Sequence, residues 1–159
     1  MIKIIAKISF IVAAFTTLTA FFYISPPFKS SKLFKELPDD SKIIIAVTHV
    51  QLAQDKKQNK IFWQNTTRVT DSLPTNKGYL GHDIRKKIFI NEGWTLTIWT
   101  DEDALENFVY GKVHAQAMQQ SLPAVKEARF VRFTRRVKDI PLSWQQVEKI
   151  MQQQGRKLY

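Results

Sequence analysis

The segment from Gly93 to Met118 constrains the fold more than any other. Residues 94–99 read Trp-Thr-Leu-Thr-Ile-Trp, which puts Trp94, Leu96 and Ile98 on one face and Thr95, Thr97 and Trp99 on the other. That is the two-residue period of a strand, built from β-branched and aromatic residues that suit a pleated surface. A helix is expected to follow at once. Thr100 stands three residues before Asp103, the spacing of a capping box, and Asp101, Glu102 and Asp103 set negative charge at the positive end of the helix dipole. Pro123 should stop the helix at about Leu122, because proline disfavours helical geometry in the residue before it. Ala104, Phe108, Ala115, Met118 and Leu122 would form its apolar face, with Asn107, Tyr110 and His114 grouped along the opposite edge.

The other elements read as packing partners of this unit. Ser41 to His49, SKIIIAVTH, is nearly continuously apolar and predicts a strand buried on both faces. Val50 to Leu73 predicts a helix, with the polar piece 55–60 open to reading as a loop before a shorter one. Residues 74–78, Pro-Thr-Asn-Lys-Gly, form a turn cluster; Tyr79 to Asn91 follows as a strand, with Glu92-Gly93 as the hairpin into Trp94. Glu127 to Lys138 is a further strand, stopped by Pro141, and Ser143-Trp-Gln-Gln146 opens a terminal helix that ends before Gly155. The order is β-α-β-β-α-β, an α+β ferredoxin-like sandwich with both helices on one face of an antiparallel sheet. The other sheet face needs a cover, and a second copy of the chain is the expected one, giving a homodimer.

Ile8 to Ile24 carries no charge over 17 residues, after Lys3 and Lys7. A run of this length and composition predicts a transmembrane helix, and Leu18-Thr19-Ala20 lacks the small-residue pair of a good leader cleavage site. The expected organisation is therefore a membrane anchor over 1–25, a Pro/Ser linker over 26–40 that keeps the domain off the bilayer, a folded domain over 41–138 and a terminal helix and tail over 139–159. This implies a single-pass protein of a bacterial inner membrane. Lysines flank both ends of the run, so charge leaves the side of the soluble domain open. The net charge is +10, and five lysines precede the first acid, Glu36. Half the excess thus borders the apolar run and suits lipid headgroups, and no nucleic-acid-binding motif accompanies the rest. The chain has no cysteine, which excludes disulfides, thiolate metal sites and a cysteine nucleophile.

Gly78-Tyr-Leu-Gly81, Trp94 to Trp99, Asp103-Ala-Leu105, Phe108 and His114 to Met118 together resemble the antibiotic-biosynthesis-monooxygenase (ABM)-like family. The likeness covers about residues 40–137 and is clearest over 78–120. It implies a dimeric α+β barrel with a pocket between sheet and helices. Some relatives are cofactor-independent monooxygenases of polycyclic aromatics; others degrade haem; many have no established activity. The haem-degrading pattern places Trp99 at its tryptophan position, but His49 stands at its asparagine position and the ligand histidine would fall near Met118. These departures argue against haem degradation of that type.

Four residues are candidates for chemistry: His49, Trp99, Tyr110 and His114. In an oxygenase of a hydrophobic aromatic substrate, Trp99 would orient the ring. His49, Tyr110 or His114 would assist the proton removal that makes the substrate reactive toward dioxygen. Such an enzyme needs no cofactor. The competing expectations are a non-enzymatic small-ligand-binding or structural dimer of the same fold, and a haem-binding protein. His82 follows a glycine and is expected to be exposed. The arginines at 129, 132, 135 and 136 are expected to form a solvated edge.

Overall fold

The computed structural model describes residues 23–87 and 90–158. In chain order the elements are β1 (Tyr23–Ile24), β2 (Lys29–Ser30), α1 (Lys32–Glu36), β3 (Lys42–Leu52), α2 (Lys56–Ser72), β4 (Tyr79–Lys87), β5 (Glu92–Trp99), α3 (Glu102–Val109), α4 (Lys112–Ser121), β6 (Val125–Arg136), α5 (Trp144–Gln154) and β7 (Arg156–Lys157). The four long strands lie in the order β4-β5-β3-β6, each antiparallel to its neighbours. This is the ferredoxin-like α+β arrangement, with one βαβ unit interleaved with the other. The short strands β1 and β2 extend the β4 edge, and β7 extends the β6 edge.

The strand β3 lies at the centre, and both of its faces are buried. Ile43, Ile45 and Val47 join Trp94, Leu96, Ile98, Leu80 and Val131 on one face. Ile44 and Ala46 join Trp99, Tyr79 and Leu73 on the other, beneath Leu105 and Phe108 of α3. Trp94 and Trp99 therefore face opposite ways, as their spacing requires.

The first face is covered by the chain itself. Val147, Ile150 and Met151 of α5 lie on it, together with Phe28, Phe34 and Leu37 from the N-terminal segment and Ile140, Leu142 and Trp144 from the approach to α5. Among the described residues, these side chains occupy the face on which a second copy was expected. The linker expected over 26–40 is likewise a structural part of the domain. Lys29 and Ser30 pair with His82 and Gly81, Ser31 N–H donates to the Leu80 carbonyl at 2.8 Å, and Ser31 caps α1. Prolines and serines in this stretch shape a strap along the sheet edge, where the sequence suggested a free spacer.

The apolar run of the expected membrane anchor lies outside the described residues, apart from Tyr23 and Ile24. Those two form β1, paired with Lys87 and Lys86. Among the described residues no helix is long and apolar enough to cross a membrane.

Other boundaries move for local reasons. β3 continues to Leu52 and α2 starts at Lys56, because the Asp55 carboxylate accepts from Lys57 and Gln58 N–H groups and so caps the helix there. Glu92 and Gly93 belong to β5 and are not the hairpin turn. Gly93 is required by packing: a Cβ there would stand 2.6 Å from the Trp63 ring. Gly78 has φ of 79° and lies against Ala104 and Thr100, which ties the turn before β4 to the start of α3. The cap of α3 is Asp101, which accepts from Ala104 N–H, while Thr100 donates to Asp101 instead of capping.

The helix expected to run unbroken to Leu122 is two helices. Gly111 adopts extended geometry (φ −62°, ψ 144°) and restarts the helix as α4. The break shifts the helical phase, so Ala117 and Ser121 are buried while Ala115, Met118 and Leu122 face outward. The α5 capping box at Ser143 and Gln146 forms as the sequence predicts.

The covering role of α5 has a measurable consequence. Met151→Ala removes a side chain 2% exposed in the first-face core and should lower unfolding free energy by about 2–5 kcal/mol in urea titration. A loss under about 0.5 kcal/mol would mean that α5 rests on the sheet without stabilising it.

Candidate functional site

The four candidate residues do not converge. His49 and Trp99 lie on opposite faces of the sheet, since His49 pairs with Trp94 and Trp99 with Ile44. Tyr110 is 80% exposed at the α3–α4 break. His114 alone approaches Trp99, and only through Phe108: the ring centroids are 4.8 Å apart in each of the two steps, Trp99–Phe108 and Phe108–His114. The i, i+4 relation of Tyr110 and His114 assumed one helix, and the break at Gly111 removes it.

On the helix-side face, the space between sheet and helices is filled. Trp99 is fully buried, clasped by Phe108 and by the edge of Tyr79 at 5.9 Å. Its indole N–H donates to Thr97 Oγ1 at 2.9 Å. Sequence reasoning missed the pair that completes this group. His82 is only 6% exposed, contrary to expectation, and its Nδ1 lies 2.5 Å from Tyr79 Oη. Burial pushes the Tyr79 phenol up to about 12. Burial, and then the charge of Lys29, hold the His82 imidazole below the usual histidine value. Both groups are therefore neutral at pH 7, and the histidine tautomer sets which of them donates in the hydrogen bond between them. The signal was available in principle: β2 lies across from His82 and covers it, but β2 reads as linker in the sequence.

His114 closes one side of a surface cleft of about 140 Å³, lined by Ser72, Asn76, Phe108, Gly111 and Lys112 among others. Its Nδ1–H donates to the Val109 carbonyl at 2.9 Å, leaving Nε2 as an acceptor. Burial lowers its pKa, against an opposing effect of that carbonyl. Ligand pockets for drug-sized molecules occupy about 300–1,000 Å³, so this cleft suits only a small group. A haem does not fit: Trp99 and Phe108 occupy the sheet–helix space where the plane would lie. Among the described residues, no group of three or more acids or histidines could hold a metal ion.

On the opposite face, His49 stacks on Trp94 with centroids 4.0 Å apart. Its Nε2 lies 3.2 Å from Glu92 Oε1, off the line of a hydrogen bond, so that atom is buried without a hydrogen-bond partner. Glu92 also accepts from Trp94 Nε1 at 3.1 Å. The His49 imidazole beside it is the largest cause holding the Glu92 carboxyl down at about 2, against desolvation and with help from Trp94 and Lys87. Arg85 extends the row. It is ion-paired to Glu148 and sits over the rings of Tyr23 (3.9 Å), Trp144 (4.7 Å) and Trp94 (5.5 Å). This row fastens β1 and α5 to the sheet. The arginines expected to form a solvated edge are partly engaged: Arg132 pairs with Glu102 and Glu106, Arg136 with Asp40 and Asp139, and Arg129 donates to the Gly155 carbonyl.

No protein-family profile and no curated protein sequence matches the chain. Solved structures do share its fold. A candidate monooxygenase from Lactobacillus acidophilus superposes with a TM-score of 0.52 at 14% identity, over 69% of this chain and 51% of that one. A candidate monooxygenase from Fusobacterium nucleatum gives 0.56 at 13% identity, over 69% and 48%. SnoaB of Streptomyces nogalater, a cofactor-independent oxygenase, gives 0.52 at 16% identity, over 64% and 99%. The chain spans about half the length of the first two. The chain thus shares the α+β fold of these three structures, and identity at this level carries the fold alone.

The buried imidazoles predict an acid-sensitive domain. A histidine held neutral by the fold, with its pKa below the unfolded value near 6.5, lets the unfolded chain bind protons first. Stability should therefore be full above about pH 6.5 and fall as the pH drops below it. Melting temperatures across pH 5–8 should show this step, and His82→Gln with His114→Gln should flatten it. A step of unchanged size in the double variant would assign it elsewhere.

Proposed function

We propose that this chain uses a monooxygenase-type fold as a binding module, without oxygenating a polycyclic substrate. The observation that carries the reading is Trp99, fully buried between Tyr79 and Phe108 in the space where a flat substrate would have to lie. The cleft at His114 is left as the place for a small ligand, with Nε2 as an acceptor and Lys112 as a cation at its rim. In this reading α5 serves as the cover of the first sheet face.

A second reading, cofactor-independent oxygenation of a hydrophobic aromatic, is favoured by the Tyr79–His82 pair beside Trp99. In that reading a substrate phenol gives its proton to Tyr79 while Tyr79 gives its own to His82. The organic anion that results then transfers an electron to dioxygen. The two readings separate in one assay. Oxygen uptake with polycyclic hydroquinones and no added cofactor should stay at the background rate. Uptake that is abolished in His82→Gln and Tyr79→Phe would overturn the binding reading and establish the other.

We also propose that the residues before Tyr23 tether the domain to a membrane. The apolar run supports this, but β1 removes two residues from its end. Residues 8–22 would span about 22 Å as a helix, so Lys3 and Lys7 would have to extend toward the headgroups beyond a core of about 30 Å. The tether predicts that the full-length chain, starting at Met1, stays in the pellet after alkaline carbonate extraction. A soluble product whose first residue lies near Phe21 would identify the run as a cleaved leader.

A further inference from the structure

One pole of the domain collects the features of a surface that lies on a charged bilayer. The chain enters the fold there: Tyr23 and Ile24 pair with Lys87 and Lys86 at the end of β4. The end of β3, the start of β6 and the β4–β5 connection meet at the same pole, because Leu52 N–H donates to the Asn91 carbonyl and Ala53 N–H to the Ala124 carbonyl. α2 starts there with Lys56, Lys57 and Lys60, all exposed. Lys126, also exposed, follows Val125, the first residue of β6 and the partner of Leu52. The C-terminal strand runs back to this pole, with Lys157 opposite Arg129 and Leu158 N–H donating to the Ala128 carbonyl.

The charge there is one-sided. Seven lysines (those named above and the pair Lys86 and Lys87) stand against three carboxylates: Asp55, Glu92 and Glu127. Two of the three are engaged within the protein, as are Lys86, over the Trp63 ring, and Lys87, beside Glu92 and over the Tyr23 ring. Asp55 caps α2, and Glu92 faces His49, Trp94 and Lys87. Large apolar side chains stand exposed among these lysines. Ile24 is 56% exposed and Ile90 is 51% exposed, and Leu122 and Leu158 are also exposed. Exposed aliphatic side chains ringed by lysines fit the boundary of headgroups and acyl chains, where the apolar groups enter and the ammonium groups meet phosphate. The apolar run 8–22 lies immediately before this pole in the chain, so a tether formed by it delivers the pole to the bilayer.

We propose that this pole docks the domain onto an anionic lipid surface, with Ile90 and Ile24 entering the interface and the surrounding lysines contacting lipid phosphates. The proposal rests on the tether proposed above. The absence of native cysteine makes the test direct. The full-length chain carrying Ile90→Cys, labelled with an environment-sensitive fluorophore, is reconstituted in phosphatidylcholine vesicles with and without phosphatidylglycerol. Tyr110→Cys, exposed at the far end of α2 and α4, serves as the control position. With phosphatidylglycerol present, the label at 90 should shift to the blue and the label at 110 should not. The shift should reverse at 1 M salt, where the Debye length is about 3 Å, and in Lys56→Gln/Lys57→Gln/Lys126→Gln. Equal spectra at 90 in the two vesicle types, with the chain co-floating in both, would overturn the docking surface and leave the tether standing. Failure to co-float with neutral vesicles would instead remove the tether. A blue shift that persists in the lysine variant would assign the contact to something other than anionic headgroups.

Discussion

The structure depends on burying β3 from both sides. Ile43, Ile45 and Val47 are shut off from water on one face, and Ala46 with its neighbours on the other. A strand of this kind cannot be stable at an edge or with a bare face, because each exposed aliphatic side chain would forfeit roughly 1.5–3 kcal/mol of burial. Two covers are needed. α2 and α3 supply one. The other comes from α5 and the strap made by residues 26–37, which bring their own aromatic and aliphatic side chains to the sheet.

That second cover changes what the fold can do. A ferredoxin-like domain with one naked sheet face is committed to pairing. Here the face is closed within one chain, and the Arg85 row secures the closure. A buried guanidinium needs charge and hydrogen-bond partners to offset its desolvation; Glu148 of α5 supplies the charge and one hydrogen bond, Tyr23 and Trp144 lie against it, and Nε is left without a hydrogen-bond partner. The N-terminal strand, the sheet and the last helix are thereby joined at one point. The candidate chemistry is divided by the same sheet, with His49 on the α5 side and Trp99, Tyr79, His82 and His114 on the helix side.

Much of the fold was legible in the residues, and for identifiable reasons. The alternation from Trp94 to Trp99 and the unbroken apolar run of β3 report how many faces are buried, which is a property of the strand itself. The Ser143–Gln146 box is local chemistry and formed as expected. The site was less legible. Grouping Tyr110 with His114 assumed a continuous helix, and a single extended glycine undoes it. Tyr79 and His82 are three apart in a strand, a spacing that would normally put them on opposite faces. The register shift between Tyr79 and Gly81 brings them to the same face.

The sequence by itself determined the α+β class, the strand order in the chain, the opposed faces of Trp94 and Trp99 and the basic, apolar character of the N-terminal region. These follow from period, composition and capping, which act over a few residues. Only the tertiary structure decided that 26–37 belongs to the domain, that α5 covers the sheet and that Trp99 fills its own pocket. Those outcomes depend on which distant surfaces fit one another, and a one-dimensional pattern carries no record of the partner a side chain will meet.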